Sequence, residues 1–222
     1  TDGDGITDKE VIDQKKAAIN STTSVNVETD LTETEAFSRE LFASIAALKE
    51  SGNLNDQSIQ DLAKTISENA GDDQEIANIF SINDITTVTD SAPHARTYHS
   101  ALLAVFARYD TTGIGTEFAV IDQILSESDE KKIDELHQIA QSYLALSGSL
   151  MDMTVPAGVA SVHISLANTA RIISVALENA TLIYDNALRG LIGISQHQAA
   201  SDTFDANFAL LGDYFVKNGI VK

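Results

Sequence analysis

Apolar residues recur at helical spacing along most of this chain, and the polar residues between them supply start and stop signals. Thr7-Asp8-Lys9-Glu10 reads as a capping box opening a short helix to about Asn20. A polar stretch without period, NSTTSVNVETD, follows as a linker. Thr32 to Glu35 is a second capping box, ahead of Phe37, Leu41, Ile45 and Leu48 at helical spacing, and SGN at 51–53 ends that helix. Ile59, Leu62 and Ile66 share one face of the next, with Gly71 after it.

Between Gly71 and Pro93 the apolar residues Ile76, Ile79, Phe80, Ile82, Ile85 and Val88 fit either a short helix or an extended segment within a long connection. Beyond it, Pro93 sits in the first turn of a helix from Ser91 to about Tyr109, through Tyr98, Leu102, Val105 and Phe106. TTGIG is a turn, Phe118, Ile121 and Leu125 form a face, and Ser128 with Asp129 and Glu130 starts a helix carrying Ile133, Leu136, Ile139, Tyr143 and Leu146. Pro156 opens a long helix through Val159, Val162, Leu166, Ile173 and Leu177, and Asp185 caps a last one from Leu188 to Phe215, closed by Gly219.

These two final helices are the longest, and their small residues, among them Ala167, Ala170, Gly190 and Gly193, suit close backbone approach. Period-two alternation persists nowhere. The pattern predicts an all-α fold, a multi-helix bundle with a long C-terminal antiparallel helical hairpin. Residues 1–27 form one unit and 28–222 a helical domain, with a possible sub-boundary near 71–92.

Charge changes this picture by dividing the chain. Its formal net charge is -19, which disfavours nucleic acid and anionic lipid as partners. Residues 1–148 hold 27 acidic and 10 basic side chains, whereas 149–222 hold 6 and 4. The nearly neutral C-terminal third is therefore the place for a core or for a surface packed against another copy. Single Asp substitutions at Ile192 and Ile194 are the sequence-level probe of such a surface. No cysteine is present, which excludes thiol catalysis, disulfides and cysteine-bound zinc. No run approaches the roughly 18 consecutive apolar residues of a membrane span.

The opening TDGDGITDKEV carries the most specific chemistry. Aligned on Gly5, the EF-hand-like calcium loop D-x-[DN]-x-[DN]-G-x5-E places Asp2, Asp4, the Ile6 carbonyl and Asp8 at four ligand positions. The first ligand would precede Thr1, and Val11 stands where the bidentate acid belongs. These residues predict Ca²⁺ as the cofactor, held weakly. A loop entered at its second position implies further chain upstream, where a stalk or membrane anchor belongs.

Other motifs carry less. His94, His99, His137, His163 and His197 match no metal or acid–base pattern and read as structural or surface histidines, with His163 hydrogen-bonded in the core. Met151 and Met153 read as core filler, and the sequon Asn179-Ala180-Thr181 falls inside a helix.

The order of TDGDGITDKEV, DLTETEAFSRELFASIAALKESG, VPAGVASVHISLANTARIISVALENA, YDNALRGLIGISQHQ and FALLGDYFVKNGI resembles surface proteins of candidate phyla radiation (Patescibacteria) bacteria with thrombospondin type 3-like aspartate repeats near the N-terminus. Leu31-Thr32, Glu40-Leu41-Phe42, Val155-Pro156, His163, Asn168 and Tyr214-Phe215 carry the resemblance, as packing and capping residues. It implies an extracytoplasmic location and supplies no activity. The expectation is a non-enzymatic structural or interaction protein, displayed at the cell surface or assembled as a homo-oligomer or polymer. The alternative is a helical-bundle receptor holding a small ligand or basic peptide between its long helices.

Overall fold

The computed structural model describes residues 76–221 apart from 128 and 130, together with 43, 44, 47, 48, 50–52, 58 and 61. The calcium-loop residues Asp2, Asp4, Ile6 and Asp8, the boundary at 27/28 and the capping box at Thr32 lie outside these. Ser51 donates from its amide to the Ala47 carbonyl, and Gly52 follows with φ of 69°, so Ser51 and Gly52 form a turn where the sequence places a helix end.

Residues 76–81 have no regular structure and lead through a 3₁₀ turn, Ile82–Asp84, into strand β1, Thr86–Val88. Five helices and one further strand follow: α1 Ala92–Ala107, α2 Glu117–Glu127, α3 Lys131–Met151, β2 Thr154–Pro156, α4 Ala160–Ala180 and α5 Ala187–Lys217. β1 and β2 pair in parallel, Thr86 with Thr154 and Val88 with Pro156. Pro156 therefore ends a strand, and a 3₁₀ turn, Ala157–Val159, separates it from α4. Proline tolerates this position because a parallel pair of three residues demands few amide donors.

Local chemistry explains the helix ends. Ser91 caps α1 by accepting from the His94 amide at 3.3 Å, with Pro93 in the first turn. Asn186, one residue beyond the predicted Asp185, caps α5 by accepting from the Arg189 amide at 3.0 Å. At the far end the Ile220 amide reaches back to the Phe215 carbonyl and that of Gly219 to Val216, with Gly219 at φ of 67°, a Schellman closure.

α4 is the central element. α3 and α5 pack along its sides, α1 leans on α3 and α5, and α2 leans on α3. Gly190 of α5 lies against Ile183, Gly193 against Ala176 and Ala180, and Asn207 donates to Ser165 at 3.0 Å. Ascending positions on α5 meet descending ones on α4, so the pair is an antiparallel hairpin. A Cβ on Gly193 would stand 2.5 Å from the Ala176 carbonyl oxygen, an approach only glycine permits. The N-terminal half of α5 is consequently buried on several faces, with Leu191, Ile192, Gly193 and Ile194 all enclosed. Ile192 and Ile194 thus belong to the core and cannot report on an outer surface. The C-terminal half buries one stripe, Phe204, Asn207, Leu211 and Phe215.

On α2 the buried stripe is Glu117, Val120, Ile121 and Ile124, and Phe118 is exposed. The face is rotated from the expected Phe118, Ile121, Leu125 because an acid leads it. The Glu117 carboxylate accepts from the Gly115 amide at 2.7 Å and is hydrogen-bonded to Tyr143, which offsets the cost of its burial.

Candidate functional site: a main-chain clamp on the central helix

Asn168 lies in the middle of α4, in a run of residues otherwise buried as apolar or small side chains. Its Oδ1 accepts from the amides of Ile79 and Phe80, each at 3.0 Å, and its Nδ2 donates to the Phe80 carbonyl at 2.9 Å. One turn on, Arg171 Nη1 donates to the Ala77 carbonyl at 3.3 Å. A carboxamide offers an acceptor and a donor side by side, which matches the alternating groups of an extended main chain. The two side chains sit three residues apart on one helix face and hold residues 77–80 by the backbone.

The strap formed by residues 76–90 is shaped by one internal turn and pinned at two further places. Ser81 donates from its amide and its hydroxyl to Asp84 Oδ2, both at 2.7 Å, and the hydroxyl bond is the larger cause holding that carboxyl below the usual range. β1 pairs with β2. Asp90 accepts from the Tyr214 hydroxyl at 2.6 Å and lies against Gly158, where a Cβ would come within 2.5 Å of its carboxylate. Desolvation, and then Asp90, push the Tyr214 hydroxyl above its ordinary value. Phe80 and Ile85 are partly buried against the core, while Ile79 and Ile82 remain about half exposed.

The remaining chemistry-bearing side chains are dispersed. His163 is buried, bonded through Nδ1 to the Tyr98 hydroxyl and through Nε2 to the Leu150 carbonyl, each at 2.9 Å, as expected for a core histidine. Burial lowers its pKa. Burial also raises that of Tyr98, so the pair is neutral. His94 contacts the Thr89 carbonyl, His99 meets the Phe215 ring edge-on, and His137 pairs with Glu178 at 2.8 Å on the surface. His197 is fully buried, touches Phe118 and Ser201, and has no partner at Nδ1. Desolvation depresses its pKa to about 4. Among the described residues no group of three His, Asp or Glu side chains is placed to hold a metal ion. Asn179 of the sequon accepts from Arg189 Nε at 3.0 Å.

The 24 residues Ala157–Ala180, which include α4, are long and apolar enough to cross a membrane by length and composition, with a mean hydropathy of 1.3 over 18 of them. The strict reading of uninterrupted apolar runs overlooks this segment because Ser, Thr, Asn and Arg interrupt it. In the bundle 61% of those 18 residues are buried, as in the core helix of a globular fold.

No family model matches the chain, no curated protein matches it, and no solved structure matches it.

Proposed function

We propose that this chain is a non-enzymatic extracytoplasmic structural or interaction protein that assembles with copies of itself. One observation carries the reading: Leu103 of α1 and Phe208 and Val216 of α5 are 57%, 37% and 54% exposed on the two helices that meet through their aromatic side chains. α1 and α5 run antiparallel there, Phe106 against Phe208 and His99 against Phe215, so Leu103 lies between the heights of these two contacts. A second copy suits this face because the C-terminal third is nearly neutral, whereas the acid-rich remainder repels its own kind. The receptor alternative draws less support. The seam between the long helices is closed by backbone contact at Gly193, and a shallow recess of about 490 Å³ is lined by Ala92, Pro93, Arg96, Thr97 and Ser100 of α1 and its N-terminal turn.

Leu103→Asp and Val216→Asp test the assembly. The wild-type particle is expected at a multiple of 23.8 kDa by light scattering, and each variant at 23.8 kDa with its melting temperature retained. A wild type that is monomeric at every concentration sinks the reading. Weak calcium binding by Asp2, Asp4, the Ile6 carbonyl and Asp8 belongs to the same proposal. Calorimetry is expected to detect Ca²⁺ and to lose it in Asp4→Ala.

A further inference from the structure

We infer that the clamp of Asn168 and Arg171 accepts the strap of a second copy in place of its own. The inference rests on the self-assembly reading and names how two copies hold each other. Each bond from the clamp goes to main chain, at Ala77, Ile79 and Phe80, so α4 receives a strap from another chain with the same geometry. The pairing of β1 with β2 is likewise made by main chain. A strap exchanged between copies therefore recreates every bond it gives up, the condition under which swapping is a low-cost route to a dimer.

Little side-chain burial opposes release. Ala77, Asn78, Ile79, Ser81, Ile82, Asn83 and Asp84 are exposed, and Phe80, Ile85 and Val88 are only partly covered. The hinge is short and defined. Thr89 offers its carbonyl to His94, and Asp90 receives the Tyr214 hydroxyl, so the chain from Thr89 onward stays with its own bundle. Residues 76–88 then redirect by rotation at the Val88–Thr89 junction. A foreign peptide fits less well, because the occupant must meet Asn168 at residues 79–80, form the Ser81–Asp84 turn, and enter the β2 register at residue 86. A copy of this chain satisfies all three.

The chain contains no cysteine, so engineered thiols report without background. Thr86 and Thr154 are register partners and both exposed; Thr87 and Val155 provide a second pair. Full-length Thr86→Cys and Thr154→Cys chains are unfolded together, refolded as a mixture and oxidised. Exchange predicts a disulfide-linked dimer joining one chain of each kind, in clear excess over dimers of like chains. If the double variants Thr86→Cys/Thr154→Cys and Thr87→Cys/Val155→Cys close only within single chains and the mixtures give no mixed dimer, the exchange is refuted. A particle that is still multimeric by light scattering would then leave assembly through α1 and α5 standing without it. Failure of both pairs to link in any arrangement contradicts the register itself and overturns the inference as well.

Discussion

α5 meets the rest of the bundle in two ways along its length. Its N-terminal half approaches α4 backbone to backbone, with Gly190 against Ile183 and Gly193 against Ala176 and Ala180. Its C-terminal half faces α1 and α3 through rings, Phe204 lying between Phe106 and Tyr143 with centroids 6.4 and 6.1 Å away. The first contact depends on atoms that are missing, since any side chain at Gly193 would fill the space the hairpin occupies. The second depends on bulk, because α1 stands far enough from α5 that large side chains must bridge them. A close seam tolerates no addition, and a bridged one tolerates exchange among large apolar groups but no deletion.

Gly193→Val attacks the seam directly and is expected to have the largest effect, a loss of about 5 kcal/mol in chemical denaturation, because both facing atoms are backbone and cannot rotate away. Phe204→Ala attacks the bridge and is expected to cost about 4 kcal/mol by the same measurement, by leaving a cavity bordered by Phe106 and Tyr143. Phe208→Leu, at the solvent edge of that bridge, sharpens the contrast with a loss below about 1 kcal/mol. If the valine and leucine variants are equally stable, the distinction between the two halves is wrong.

His197 lies in the closely packed half, and its pH dependence follows from the sign of its shift. The folded pKa of about 4 lies below the ordinary 6.5, so between these values the unfolded chain binds a proton that the folded site refuses. Its neutral burial is fully compatible with folding above pH 6.5 and increasingly opposes it as pH falls toward 4, by an amount on the order of 3 kcal/mol at most. His197→Leu is expected to flatten that part of the stability–pH curve while changing stability little at pH 8, since Nδ1 has no partner and only the 3.3 Å bond of Nε2 to Ser201 is lost. A curve of unchanged slope would reassign the acid sensitivity to other groups. Asn168→Ala is expected to cost about 1 kcal/mol in global stability. Amide exchange should nevertheless rise strongly at Ile79 and Phe80, because solvent reaches the released strap without unfolding the bundle.

α1, α3 and the C-terminal half of α5 were legible in the sequence because each buries one stripe at helical spacing. Tyr98, Leu102 and Val105, or Leu136, Ile139, Tyr143 and Leu146, are buried as the period requires. Glu117 defeated the same reasoning on α2, since a carboxylate is not counted toward an apolar face unless its hydrogen bonds are known. The strand pair was illegible for another reason. Three residues carry no measurable period, and the pairing of Thr86 with Thr154 is set by tertiary contact. Asn168 stood out only as a packing residue, because no local pattern tells an asparagine that grips distant backbone from one that caps or fills. His163 was correctly placed in the core, whereas its two bonds to Tyr98 and Leu150 required the fold.

The clamp also has a consequence for the order of events during synthesis. Asn168 follows Phe80 by 88 residues, and β2 follows β1 by a comparable length of chain. At roughly 5–20 residues per second, the strap leaves the ribosome roughly 4–18 s before the helix that receives it exists. Throughout that interval Ile79, Phe80, Ile82 and Ile85 are made and unclaimed, and neighbouring nascent chains on the same message carry the same segment. The strap therefore closes late, as the step that completes the domain rather than the one that starts it.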